Sequence, residues 1–190
     1  WIRFANVQGF EDARHPATSD TAFRDNGRIE VWDERVAEGI WLRLKALVPE
    51  RVDGWKACGC YEKLRVYRYK AGGQRFGKHI DESTGGTKPG TRTAITVLIY
   101  LNGSGGAGVG VNTEGEGTGR LGRDSEVELV GGETVFYRGV AGNSEAARFA
   151  PLAGAMLWHG HGERCLVHEA LAVNQGVKYV LRTDVLFERP

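Results

Sequence analysis

His79 and Asp81 stand two positions apart in "RFGKHIDES" at 75–83, and on a strand that spacing puts both side chains on one face. An imidazole and a carboxylate so placed are either an ordinary hydrogen-bonded strand end or two donors of a metal site that needs a third. Two histidines and one carboxylate on one face of an octahedral ion would leave three positions open for substrates and oxygen. His159, His161 and His168 are the candidates for the missing donor. His168 ends the β-rich run "RCLVH", whereas His159 and His161 sit in a short H-G-H connection, where a turn places a ligand less well than a strand end does. The reading favours His168; His159 and His161 either form a separate metal site or, as such residues more often do, stand as exposed turn histidines.

The elements that must position these groups are legible in outline. "WDERVAEGIWLRLKALVPE" reads as a helix with Val36, Ile40, Leu44, Leu47 and Val48 on one stripe, capped by Asp33 and ended by Pro49. From residue 61 the pattern becomes short β-rich runs between glycines: "KLRVYRYK", "RTAITVLIYLN", "SEVELV", "ETVFYR", "AMLWH", "RCLVHEA" and "KYVLRTDVLF". Seven or so strands with turns between them indicate a sandwich or barrel with the helix outside. In "RTAITVLIYL" parity sets Thr93, Ile95, Val97, Ile99 and Leu101 against Arg92, Ala94, Thr96, Leu98 and Tyr100. In "KYVLRTDVLF" it groups Lys178, Val180, Arg182, Asp184 and Leu186 against Tyr179, Leu181, Thr183, Val185 and Phe187. One face of each strand is thus suited to a partly polar cavity. The glycine-rich stretch at about 102–124 reads as a long mobile loop, either a lid or a disordered insertion.

The 190 residues suit one domain, with an N-terminal helical support at about 1–60 and a β core at about 61–190. The 25 basic and 24 acidic residues nearly cancel, so nucleic acid is not implied. Cys58, Cys60 and Cys165 lack the spacing of a zinc knuckle or a disulfide framework and read as reduced thiols in a reducing compartment. No run approaches the ~18 apolar residues of a membrane span, and the chain reads as soluble. Its start at Trp1 rather than methionine reads as an excised domain or a trimmed chain. Residues 61–78 carry six basic side chains against Glu62; this either favours an acidic peptide or carboxylate substrate or marks an edge strand defended by charge. Arg24, Asn26 and Arg28 either face a site entrance or form a surface turn.

"YRYKAGGQRFGKHID", "TVLIYLN", "GGETVFY", "APLAGAMLWH" and "LVHEALAVNQGVKYVLRTDVLF" occur in this order. Together they resemble the prolyl 4-hydroxylase-like branch of the iron(II)/2-oxoglutarate-dependent dioxygenases over about residues 61–188. The stretch "TAFRDNGRIEVWD" with its following helix resembles the N-terminal part of the group more loosely.

That resemblance implies a mainly β fold with flanking helices, a double-stranded β-helix (jelly-roll) barrel. It implies iron(II) held by His79, Asp81 and His168, with 2-oxoglutarate as cosubstrate, oxygen as oxidant and ascorbate as a supporting reductant. Lys178 takes the position of the basic residue that binds the distal carboxylate of 2-oxoglutarate; a buried ammonium gains a charge-assisted hydrogen bond there. Tyr69 and Tyr100 match tyrosines that hydrogen-bond the cosubstrate, and Thr134 resembles a position beside the same pocket. At one position the chain departs from the pattern: collagen and oxygen-sensor members usually have tryptophan where Asp184 stands, with Arg182 two residues before it. The Arg182–Asp184 pair would form a second layer around the cosubstrate or satisfy itself. The implied reaction is hydroxylation of a peptidyl residue, proline first, with release of succinate and carbon dioxide. The alternatives are the same chemistry on a free amino acid or other small molecule, or a metal-binding jelly roll without activity. Oligomeric state is not legible.

Overall fold

The computed structural model describes residues 1–103, 128–139 and 142–190. Most of the glycine-rich insertion, and the first half of the strand expected at "SEVELV", lie outside them. The first third of the chain forms α1 (Ile2–Gln8), β1 (Glu11–Asp12), β2 (Arg24–Asp25), β3 (Gly27–Trp32), α2 (Glu34–Leu44), β4 (Arg51–Val52) and β5 (Trp55–Cys60). Then come β6 (Lys63–Lys70), β7 (Arg75–His79), β8 (Thr91–Tyr100), β9 (Val130–Gly131), β10 (Thr134–Arg138) and β11 (Ser144–Phe149). The chain finishes with β12 (Met156–Gly160), β13 (Val167–Ala170), β14 (Val173–Gln175) and β15 (Val177–Glu188).

The long strand β15 organises the larger sheet. Along one edge it pairs with β6 over Val177–Arg182 and then with β5 over Val185–Glu188. Along the other it pairs with β8, which in turn pairs with β12. The smaller sheet runs β11-β10-β13-β7-β2. Cavity walls drawn from both sheets show that they face each other as a jelly-roll sandwich. Their hydrogen bonding does not close into the continuous barrel expected from the sequence.

Helix α2 begins as its residues dictate: the Asp33 side chain accepts from the backbone N–H of Val36 at 3.0 Å, and Glu34 in its first turn favours the positive end of the helix dipole. Ala37, Leu44 and Val48 pack with Ala57, Ile95, Val97, Val185 and Phe187, so the helix covers the outer face of the β5–β15–β8 region. The stripe fails at Leu47, which is 59% exposed. The helix stops at Leu44, before Pro49, so residues beyond it leave the 3.6-residue period.

Two further corrections follow from pairing. The residues expected to be N-terminal helical support also form five strands, and β3 and β5 extend the larger sheet. The basic run at 61–78 is not an edge, because β6 lies between β3 and β15. Four of its basic side chains have local partners: Lys63 pairs with Glu30 at 2.8 Å and Arg65 with Glu30 at 3.5 Å, while Arg68 stacks over Phe10 and Lys78 over Tyr137. No helix among the described residues is long and apolar enough to cross a membrane.

Candidate active site

The antiparallel register of β7 and β13 sets His79 directly opposite His168, so two residues distant in sequence present neighbouring imidazoles with ring centres 4.2 Å apart. Asp81 follows β7 by two residues. Its Oδ1 lies 3.8 Å from His79 Nε2 and its Oδ2 lies 3.8 Å from His168 Nε2. One ligand atom from each of the three falls within 4.8 Å of the others.

Hydrogen bonding fixes what these atoms offer. His79 Nδ1 donates to the Gly77 carbonyl at 2.8 Å, and His168 Nδ1 donates to the Leu166 carbonyl at 3.0 Å; the Nε2 atoms are therefore the lone-pair nitrogens. Burial and the neighbouring His168 push His79 down to about 4, and burial also lowers His168, so both rings are neutral at physiological pH. Burial opposes the charge of Asp81, yet the Arg182 guanidinium holds its carboxyl well below the usual carboxylate range. Two neutral imidazole nitrogens and one ionised carboxylate converging in a buried place suit a divalent cation. Phe76 stacks on His79 with ring centres 3.8 Å apart, and Phe136 stacks on His168 at 5.2 Å, which fixes both rings.

Behind the carboxylate lies a polar network. Arg182 donates to Asp81 Oδ1 at 3.0 Å, to Thr96 Oγ1 at 3.1 Å and to Asp184 Oδ1 at 3.3 Å, and Thr96 donates to Asp81 Oδ2 at 2.8 Å. The Arg182–Asp184 pair is thus joined to Asp81, a link that sequence reading did not anticipate. Thr96 was singled out only as one member of a polar face, and parity on β8 does not hold throughout. The β15–β8 register skips Ala94 between Ile95 and Thr93, so Thr93 and Thr96 both reach His161, at 3.5 and 2.8 Å.

At the other end of the cavity is Lys178, 1% exposed. Its ammonium donates to the Gly132 carbonyl at 2.5 Å and stands 5.2 Å from the Tyr69 ring centre and 5.6 Å from that of Tyr100. Gly132 has φ +75°, and a Cβ there would come within 3.0 Å of the lysine stem, so this glycine both makes the turn and admits Lys178. Burial pushes Lys178 down to about 7, with Glu133 partly opposing. Tyr100 donates its hydroxyl to Thr134 at 2.8 Å. Tyr69, Thr134, Lys178 and Arg182 line the same cavity as His79, Asp81 and His168, with Tyr67, Leu98 and Val180 among its remaining walls. Tyr100 stands behind Thr134. Tyr67 escaped notice, although it shares the parity of Tyr69 on β6.

The expectation of exposed turn histidines is overturned. His159 and His161 are 8% and 5% exposed. His159 belongs to β12, where it pairs with Thr96 of β8, and its ring centre is 4.4 Å from that of His168. The glycines around these histidines looked like loop punctuation, but a Cβ on Gly160 would meet Arg164 Cβ at 2.8 Å. That glycine is there for close packing. Cys165, unremarked as a site residue, accepts the Asp81 backbone N–H at 3.3 Å and lies 3.6 Å from Nδ1 of both His159 and His168; burial raises its thiol to about 11.

A second, more open depression reaches the triad from the N-terminal segment and includes Arg24, Arg28, Phe76, His79, Ile80 and Asp81. Arg24 stacks on Phe76 at 4.2 Å. Arg24 and Arg28 therefore face the entrance, while Asn26 is buried away from solvent.

Residues 64–183 match the profile of the 2OG-Fe(II) oxygenase superfamily. Among solved structures, the chain is similar to a prolyl hydroxylase from Trichoplax adhaerens in complex with a peptide fragment of the hypoxia-inducible-factor oxygen degradation domain. The identity is 18% and the TM-score 0.60, covering 98% of this chain and 74% of that one. A viral collagen prolyl hydroxylase from Paramecium Bursaria Chlorella virus-1 is similar at 18% identity and TM-score 0.56, covering 97% and 86%. A Pseudomonas putida prolyl-4-hydroxylase is similar at 18% identity and TM-score 0.52, covering 99% and 82%. No curated relative matches the chain in sequence.

Proposed function

The chain belongs to the 2OG-Fe(II) oxygenase superfamily, a 2-oxoglutarate-dependent iron(II) dioxygenase class, and on that premise we propose that it hydroxylates a peptidyl residue, proline first. His79, Asp81 and His168 would hold the iron, and Lys178 the distal carboxylate of 2-oxoglutarate. The observation that carries this reading is one cavity with two bare imidazole nitrogens and a carboxylate at one end and a buried lysine at the other. Iron with 2-oxoglutarate and oxygen supplies the oxidation, the cosubstrate leaving as succinate and carbon dioxide; ascorbate would keep the iron reduced.

The protein's part is binding, orientation and exclusion of water. Arg182 and Thr96 fix the Asp81 carboxylate, and the carbonyls of Gly77 and Leu166 aim the two imidazoles. Tyr69 shields the lysine, and the Tyr100–Thr134 pair supplies hydroxyls beside it. The apolar Leu98 and Val180 walls of the same cavity would strengthen a lysine–carboxylate contact by lowering the local dielectric. The open depression beside His79 and Asp81 is suited to an extended peptide, and the similar Trichoplax enzyme is in complex with a peptide fragment. Incubation with iron(II), 2-oxoglutarate and a peptide library tests the reading by mass spectrometry. Products about 16 Da heavier, with matching succinate, support it. Oxidised metabolites from a cell extract with no oxidised peptide favour a small-molecule substrate, and metal binding without succinate favours a module without activity.

Lys178 makes a further result specific. Free of cosubstrate it loses its proton as pH rises through about 7, whereas a bound carboxylate favours the ammonium. Binding 2-oxoglutarate should therefore take up a proton above pH 7, and affinity should fall by up to about tenfold per pH unit there. Lys178→Ala should weaken 2-oxoglutarate about 100-fold, flatten this dependence and leave iron affinity within about twofold. Calorimetry on the anaerobic iron-loaded protein measures all three. An equal loss of iron would overturn the role given to Lys178.

A further inference from the structure

Two arginines at the mouth of the site are poorly compensated. Arg24 of β2 lies opposite Phe76 of β7 in the strand register, and Arg28 of β3 lies opposite Tyr67 of β6. Side chains directly opposite in an antiparallel pair share a face, and Phe76 and Tyr67 both line the cavity of the triad. Each arginine therefore rises on the cavity side, one from each sheet, and both line the open depression that reaches His79 and Asp81.

Among the described residues the guanidinium of Arg24 has no ion pair or hydrogen bond. Its contact is the Phe76 ring, 4.2 Å from Cζ, and its Nε is buried without an acceptor. Arg28 reaches one carboxylate, Glu30 at 3.8 Å, which Lys63 holds at 2.8 Å and Arg65 approaches at 3.5 Å. Of the two carboxylates on the wall of the depression, Asp81 is taken by Arg182 and Asp20 is exposed. A surplus of positive charge is thus left beside the triad. A buried guanidinium nitrogen without an acceptor is unfavourable, and a planar fork already held flat on a ring loses little further freedom when it grips a carboxylate.

Distance selects the kind of carboxylate. Arg24, Phe76 and His79 form one stacked column, with 4.2 Å from Arg24 Cζ to the Phe76 ring centre and 3.8 Å from there to the His79 ring centre. The guanidinium is on the order of 10 Å from the point where the three donors converge, a span of about three residues of extended chain. The carboxylate of a free amino acid lies too close to its own carbons to reach across. We propose, resting on the peptidyl reading above, that the substrate carries an aspartate or glutamate about three residues from the hydroxylated one, and that Arg24 and Arg28 receive it.

In the experiment the whole chain, loaded with iron(II) and 2-oxoglutarate, is given a random-sequence peptide library, and the oxidised products are sequenced by mass spectrometry. Aspartate and glutamate should be enriched at least about fivefold at one position near the oxidised residue. In the double variant Arg24→Gln, Arg28→Gln the enrichment should fall to within about twofold, and in Arg24→Glu lysine and arginine should replace the acids at that position. Loss of packing on Phe76 alone would not reverse the preference. Melting of the variants monitors folding; should all of them misfold, the wild-type library decides alone. Oxidised peptides with no acidic preference, or a preference that survives the double variant, overturn the carboxylate site and leave peptide hydroxylation standing. The absence of any oxidised peptide overturns the proposed function, and this site with it.

Discussion

His168→Ala loses iron(II) affinity by at least about 100-fold, and succinate release falls with it, whereas His161→Gln keeps both. The two histidines are seven residues apart and both buried, but their nitrogens are committed differently. His168 spends Nδ1 on the Leu166 carbonyl and turns Nε2 toward Asp81. His161 has Nε2 against Thr96 at 2.8 Å and Nδ1 against Thr93 at 3.5 Å, so no lone pair is left for an ion. Chelator competition on the purified variants, with succinate measured in parallel, separates them. If His161→Gln lost iron and His168→Ala kept it, the third ligand would be reassigned.

Arg182→Leu is expected to destabilise the metal-free protein by about 3–5 kcal/mol, because it leaves the carboxylates of Asp81 and Asp184 buried without their shared cation. For a chain of this length that is a fall in Tm of roughly 10 °C. The loss has a defined pH dependence. Arg182 depresses the carboxyl of Asp81 in the folded protein, so the associated stability is fully present above the ordinary carboxylate pKa of about 3.9 and is lost as pH falls through the folded value. In the variant the main opposition to burial is gone and the carboxyl protonates at higher pH. The gap between the two proteins should therefore be widest near neutrality and narrow below about pH 4. Iron(II) should recover part of it by supplying a cation beside Asp81. A gap of constant size from pH 3 to 8 would mean that Arg182 contributes through packing alone.

What could be read from the sequence was set by local pattern. β6 and β15 were legible nearly to the residue because each is an uninterrupted run rich in β-branched and aromatic side chains, and α2 because a capping aspartate precedes an apolar stripe. His79, Asp81, His168 and Lys178 were nominated by spacing and by resemblance, and the structure brings all four to one cavity. What escaped depends on long-range geometry. The join between Arg182 and Asp81 spans 101 positions and has no local signature. His159 was misjudged because glycine serves equally for turns and for close packing, and Gly160 does the latter. Thr93 was assigned to the wrong face because the skip at Ala94 shifts the alternation. Strands β3 and β5 were missed because β3 carries charge at alternate positions, while β5, "WKACGC", has little β-branched content.

The final strand also makes the centre unusually sensitive to chain length. Lys178, Val180, Arg182 and Asp184 reach the interior from every second residue of β15, while Tyr179, Leu181, Thr183 and Val185 take the opposite side. Deleting or inserting a single amino acid just before Lys178 would exchange the two sets, sending the ammonium and the guanidinium into the hydrocarbon packing under α2 and α1 and turning leucine and valine toward the metal. Point substitutions here change one contact at a time; a frame slip of one residue would remove anchor, counter-ion and apolar support together.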